Sequence, residues 1–140
     1  MTTLVDSSVL LDILAPSQWR AWSEGHLAAA ADQGDVAINQ VIYAEVAVGF
    51  AGRERLERAL QGAGLTRIGL PWAAAWLVAR AFRQYRNQGG SRATPLPDFF
   101  IGAHAAAAEL TLLTRDPQRV RAYFPDVKLI APPSRPIRKQ

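Results

Sequence analysis

The chain has no cysteine, so it can hold neither a disulfide nor a thiolate-bound zinc, and nothing in it calls for an oxidising compartment. Histidine is scarce: His26 and His104 are the only two. Lysine is scarce as well, with only Lys128 and Lys139, so the net charge of +4 and the pI of about 10.1 rest on arginine. Arginine suits bidentate contact with phosphate or carboxylate, although a GC-rich genome gives the same bias among scattered surface residues. No apolar run reaches membrane-spanning length. The N-terminal MTTLVDSSVLLDILAPS lacks a basic leader and carries Asp6 and Asp12 inside its apolar stretch, which argues against a signal peptide and for a bacterial-type cytoplasmic location.

At 140 residues, 49% hydrophobic and 20% charged, with glycine and proline spread along its length, the chain has the make-up of one globular domain. We expect that domain to occupy 1–131 and the Pro- and Arg-rich 132–140 to be a poorly ordered tail. Short β-favouring runs predict strands at Thr2–Val5, Val36–Ile38, Leu65–Leu70, Leu110–Leu113 and Val127–Ile130. Between them, helices are predicted at Val9–Leu14, capped by Ser7 or Ser8, and at Gln18–Gln33, Val41–Gly49 and Arg53–Gln61. Further helices run from Pro71 to about Gln88, with Trp72, Trp76, Leu77 and Phe82 available for burial, from Asp98, and over Pro117–Tyr123. Strands alternating with helices make an α/β domain with a central, mainly parallel sheet.

The stretch PDFFIGAHAAAAELTLLTRD, Pro97 to Asp116, carries an acid near each end of a helix-strand unit. Asp6 ends the first strand, and Glu45 rides the helix after the second among the apolar Ala44, Val46, Ala47 and Val48. In an open parallel sheet such positions share one edge, where Asp6, Glu45, Asp98 and Asp116 would repel one another unless a cation neutralised them. Hard oxygen ligands with no Cys or His nearby favour Mg2+ or Mn2+. Each acid also has an ordinary use: Asp6, Asp98 and Asp116 can cap or begin helices, and Glu45 can be a surface residue of its helix. Ser8 and Thr114 can orient the acids or serve as cap and strand residues. Asp12 reads as structural, and His104, set among alanines, as a packed helix residue.

The wording LVDSSVLLDIL, AEV around Glu45, LPDFFIGAHA and LLTRDP, in that order over nearly the whole chain, resembles the PIN-domain family, and within it the VapC-type toxins of bacterial toxin-antitoxin pairs. The resemblance implies a three-layer α/β nuclease and a Mg2+- or Mn2+-dependent ribonuclease. It implies that Asp6, Glu45, Asp98 and Asp116 are the catalytic acids, with Asp6, Asp98 and Asp116 on the metal, Ser8 and Thr114 behind them, and Glu45 orienting ligands or water. It also implies a homodimer and a cognate VapB-type antitoxin whose C-terminal segment lies across the groove. A carboxylate-held metal that activates water would hydrolyse a phosphodiester. Arg92 and Arg115, and Arg83 or Arg86, are the basic groups nearest the acids that could meet RNA, or they are solvated surface arginines. Two rivals stand beside this reading: a catalytically silent PIN-fold binding module whose acids accept a partner's arginines, and a receiver-like signalling domain. The second needs a lysine near the pocket, and Lys128 lies late in the chain.

Overall fold

The computed structural model describes residues 1–90 and 96–133. The expected loop residue Arg92 and the tail from 134 onward lie outside the described residues. The elements run β1 (Thr2–Val5), α1 (Ser7–Leu14), α2 (Arg20–Gln33), β2 (Asp35–Ile38), α3 (Gln40–Ala47), α4 (Arg53–Gly62), β3 (Thr66–Arg67), α5 (Trp72–Asn87), α6 (Leu96–Ala108), β4 (Thr111–Leu113), α7 (Gln118–Tyr123) and β5 (Leu129–Ile130). The strands form one five-stranded sheet of order β3-β2-β1-β4-β5, parallel at every pairing.

Neighbouring residues on a strand point to opposite faces, and in the central strands both neighbours are closed off from solvent: Leu4 with Val5, Ala37 with Ile38, Leu112 with Leu113. Helices therefore cover both faces of the sheet, which makes the three-layer α/β architecture that the alternating pattern predicts. Gly34 lets β2 begin hard against β1, because a Cβ there would lie 1.9 Å from the Met1 carbonyl oxygen.

Three expectations are corrected by the structure. The run Leu65–Leu70 yields only Thr66–Arg67, both exposed on the sheet edge, and the chain then turns away through Gly69 and Pro71. The helix expected from Gln18 starts at Arg20, because the Ser17 hydroxyl accepts from the Trp19 amide (3.0 Å) and donates to Asp12 (2.7 Å), holding a turn in place of a helical start. Trp72 and Trp76, expected to be buried, are exposed. The face of α5 that packs on α6 carries Ala74, Val78 and Ala81, small enough to let the helices approach closely. Aromatic packing is concentrated instead around buried Phe99, whose ring meets Phe82, Tyr85 and Tyr123 at centroid distances of 6.3, 5.7 and 5.1 Å.

The packed-helix reading of His104 holds, with a specific partner. Asn39 caps α3 by accepting from the Ile42 amide through Oδ1 (2.9 Å), so its amide nitrogen is left to donate to His104 Nδ1 at 2.9 Å. The imidazole is therefore neutral, and burial pushes its pKa below the ordinary 6.5. A histidine depressed in the folded state contributes stability that is complete above its unfolded pKa and is lost as the pH falls through its folded value. Denaturant titrations taken from about pH 7 down to about pH 5 should show wild-type stability falling, and His104→Leu, less stable at the start, should show a flatter profile. Parallel profiles would place the titrating group elsewhere.

Candidate active site

From β1 the chain builds outward to β2 and β3, then returns to lay β4 and β5 on the other side of β1. A crevice opens beyond the carboxyl ends of the two strands where the winding reverses, here β1 and β4. Asp6 follows β1 directly, and its amide continues the ladder by donating to Leu113 O at 2.9 Å. The register Val5↔Leu113 brings Asp6 alongside Thr114, and Arg115 and Asp116 follow.

Hydroxyls organise this edge. Thr114 Oγ1 accepts from the Asp116 amide (3.0 Å) and donates to Asp6 Oδ2 (2.7 Å). Ser8 Oγ accepts from the Arg115 amide (3.1 Å) and donates to the same carboxylate oxygen (2.7 Å). The two hydroxyls thus pin the turn after β4 to the acid after β1. Neither Ser7 nor Ser8 caps α1 as expected: the helix starts at Ser7 and the N-cap position is Asp6, with no side-chain cap bond. The hydroxyls are drawn to carboxylates instead, Ser7 donating to Glu45 Oε1 at 2.7 Å, because a charge-assisted bond is roughly twice as strong as a neutral one.

Glu45 reaches this edge from α3, half-buried. Desolvation pushes its pKa up, the Ser7 bond opposes the rise, and the charges of Asp6 and Asp98 add to it. Asp98, in the first turn of α6, keeps 56% of its side chain exposed, yet partial desolvation and then Asp6 raise it, with Arg119 lowering it and Asp116 raising it. The four acids named from sequence therefore share one electrostatic neighbourhood, contributed by four separate segments.

Basic groups stand beside them. Arg115 Nε donates to buried Asp12 at 2.7 Å, its Nη1 lies 3.6 Å from Asp116, and its guanidinium lies 5.7 Å from the centre of the Trp19 ring. Arg119, which the sequence reading passed over, stands with Nε 3.6 Å from Asp98 Oδ2 and its guanidinium 5.6 Å from the centre of the Tyr85 ring. Its signal was spacing, since it follows Asp116 by three residues on a helix. Arg83 is exposed, and Arg86 lies over Phe82 at 5.8 Å. Lys128 sits at the amino end of β5, the edge of the sheet opposite the acids.

Among the described residues, no three acidic or imidazole groups are drawn into a ready-made cation cage. Each acid is turned to a partner of its own: Asp6 to Ser8 and Thr114, Glu45 to Ser7, Asp98 to Arg119, Asp116 to Arg115. The donor set nonetheless fits a hard divalent cation, being carboxylates of which Glu45 and Asp98 are raised first by desolvation and then by repulsion from their acidic neighbours, with His104 committed to Asn39. A cavity of about 720 Å³ between α3, α4 and β3, lined by Tyr43, Phe50, Leu56 and Ile68 among others, contains none of the four acids.

No curated protein matches the chain by sequence. Solved structures do match in fold. VapBC2 from Rickettsia felis, bound to a DNA fragment from its promoter, aligns with a TM-score of 0.73 at 17% identity, covering 94% of this chain and 98% of that one. VapBC-1 from nontypeable Haemophilus influenzae aligns at 0.71 and 16% identity, again over 94% and 98%. A toxin-antitoxin complex from Klebsiella pneumoniae aligns at 0.67 and 23% identity, over 89% and 94%. No helix among the described residues is long and apolar enough to cross a membrane. With a five-stranded parallel sheet, acids gathered at its switch point and a match to the PIN domain over residues 3–125, the chain belongs to the PIN-domain family.

Proposed function

We propose that this protein is a Mg2+- or Mn2+-dependent endoribonuclease, the toxin of a toxin-antitoxin pair, acting in the cytoplasm. The observation that carries the reading is the convergence of Asp6, Glu45, Asp98 and Asp116 on one edge, where Glu45 feels the charges of Asp6 and Asp98, and Asp98 those of Asp6 and Asp116. Asp6, Asp98 and Asp116 would hold the cation, which when bound supplies an activated water and offsets charge on the scissile phosphate. Ser8 and Thr114 fix the Asp6 carboxylate before anything binds. Glu45, raised in pKa and steadied through Oε1 by Ser7, is placed to orient water and to take a proton from it. Arg115 and Arg92 are the proposed contacts to the RNA backbone, with Arg119 beside Asp98 added by the geometry.

The toxin role draws on the solved complexes of similar fold, which are toxin-antitoxin assemblies. By analogy with them we assign a VapB-type antitoxin to this chain, and from the family resemblance a homodimer and residues 1–131 as the nuclease domain. The apolar groove beside α3 and α4 offers a partner segment a place to lie.

Metal binding can be tested without RNA. At a hundredfold excess over its dissociation constant, Mn2+ should stabilise the wild-type protein by about 2.7 kcal/mol, read as a rise in melting temperature. The double variant Asp6→Asn/Asp98→Asn should show no such rise. If neither Mg2+ nor Mn2+ shifts the wild-type melt and neither supports cleavage of RNA, the proposal fails.

A further inference from the structure

Helix α5 contains no acidic residue, and its outward face is unusual. Trp72 is 91% exposed and Trp76 67% exposed, where a large indole would ordinarily be covered. At 100° per residue, Trp72, Trp76, Arg80 and Arg83 fall on one stripe, directly opposite the buried Ala74, Val78 and Ala81. Arg80 and Arg83 are exposed as well. Phe82 and Tyr85 pack on Phe99, the neighbour of Asp98, and Arg119 lies both over Tyr85 and beside Asp98. The C-terminal half of α5 is thus fastened to the acidic edge.

Exposed aromatics and guanidiniums on one stripe are what a nucleic-acid strand requires: bases stack on flat faces while guanidiniums meet phosphates. We propose that the outer face of α5 is a binding strip for single-stranded RNA, with bases on Trp72 and Trp76 and the backbone on Arg80 and Arg83, leading substrate toward the acids. This rests on the ribonuclease reading above and adds a place where RNA is held away from the cutting point. The stripe carries arginine and no acid, which suits a polyanion, and a second copy of the chain on the same face is the rival occupant that the oligomeric state below reads out.

The probe is a fluorescein-labelled oligouridine, titrated by fluorescence polarisation in chelator so that nothing is cut. Trp72→Ala/Trp76→Ala should weaken binding by on the order of tenfold for each stacked base lost, and Trp72→Phe/Trp76→Phe should restore most of it. Arg80→Gln/Arg83→Gln should weaken binding and flatten the log-log salt slope by about 0.7 per phosphate contact removed. All these side chains are exposed, and circular dichroism with light scattering checks fold and oligomeric state. Oligouridine binding and RNA cleavage at wild-type levels by the alanine pair, with the wild type active, overturn the strip and leave the metal-site reading standing. A fall of the alanine pair to a smaller oligomer also overturns it, by marking α5 as a self-association face. A wild-type protein that neither binds nor cuts RNA overturns both.

Discussion

Asp6→Asn is expected to leave a folded protein that no longer cuts RNA. Asparagine keeps an oxygen acceptor where Ser8 and Thr114 donate, so the turn after β4 stays pinned. What disappears is the negative charge at the centre of the site, which would help to hold the cation. If that charge contributes about 4 kcal/mol to the transition state, the rate falls on the order of a thousandfold. The folded state should not suffer, since Asp6 raises both Glu45 and Asp98 by repulsion, and removing one of several crowded like charges relieves the others. Asp98→Asn should behave similarly, with Arg119 losing the carboxylate it stands beside. Single-turnover cleavage of a labelled RNA, paired with thermal melts, reads both halves. Wild-type cleavage by either variant would sink the assignment of these residues, and a collapsed melt would turn them into structural residues.

Asp12→Ala should do the reverse, undermining the fold. The Asp12 side chain is 3% exposed and accepts from Ser17 Oγ (2.7 Å), Ser23 Oγ (2.8 Å) and Arg115 Nε (2.7 Å), tying α1, the turn before α2, α2 itself and the turn after β4 to one carboxylate. Alanine would leave a guanidinium and a fully buried hydroxyl without their acceptor, a loss of about 3–5 kcal/mol for a buried pair broken on one side. Burial alone would raise the Asp12 pKa, but the bonds from Ser17, Ser23 and Arg115, together with the Arg115 charge, outweigh it and hold the carboxyl below its ordinary 3.8. For an acid depressed in the folded state, the stabilisation is present above the unfolded pKa and is lost as the pH falls through the folded one. Urea titrations should therefore show the full gap between wild type and Asp12→Ala at neutral pH, closing below about pH 4. A gap that persists unchanged in acid would assign the loss to packing alone.

The central strands and the positions of the acids were legible because they obey local rules: β-favouring runs at Thr2–Val5 and Thr111–Leu113, each followed by a polar residue where the strand must end. Edge strand β3 was overread because Leu65–Leu70 alternates as a strand would, while only the sheet decides how many of those residues find a ladder. Trp72 and Trp76 misled for a related reason. Hydrophobicity marked them as core, but the close approach of α5 to α6 selects for small side chains, so Ala74 and Ala81 mark the buried face. The work of Asp12 was half-visible. Its structural character followed from its distance from Asp6, but its partner Arg115 lies 103 residues away, beyond the reach of any local pattern. The same is true of Ser7 and Glu45, separated by 38 residues.

The central pairing of β1 with β4 has a consequence for the timing of synthesis. Thr114 and Asp6 are joined across 108 residues. Loop-closure entropy for that pairing exceeds the cost of pairing β1 with β2, whose partners Thr3 and Val36 are much closer in sequence, by about 1 kcal/mol. Until Thr111–Asp116 has left the ribosome, β1 has nothing on that flank, and Asp6 and Glu45 stand without Asp116. If the proposed chemistry needs all four acids, it is withheld from the nascent chain until the segment carrying Asp116 docks on β1.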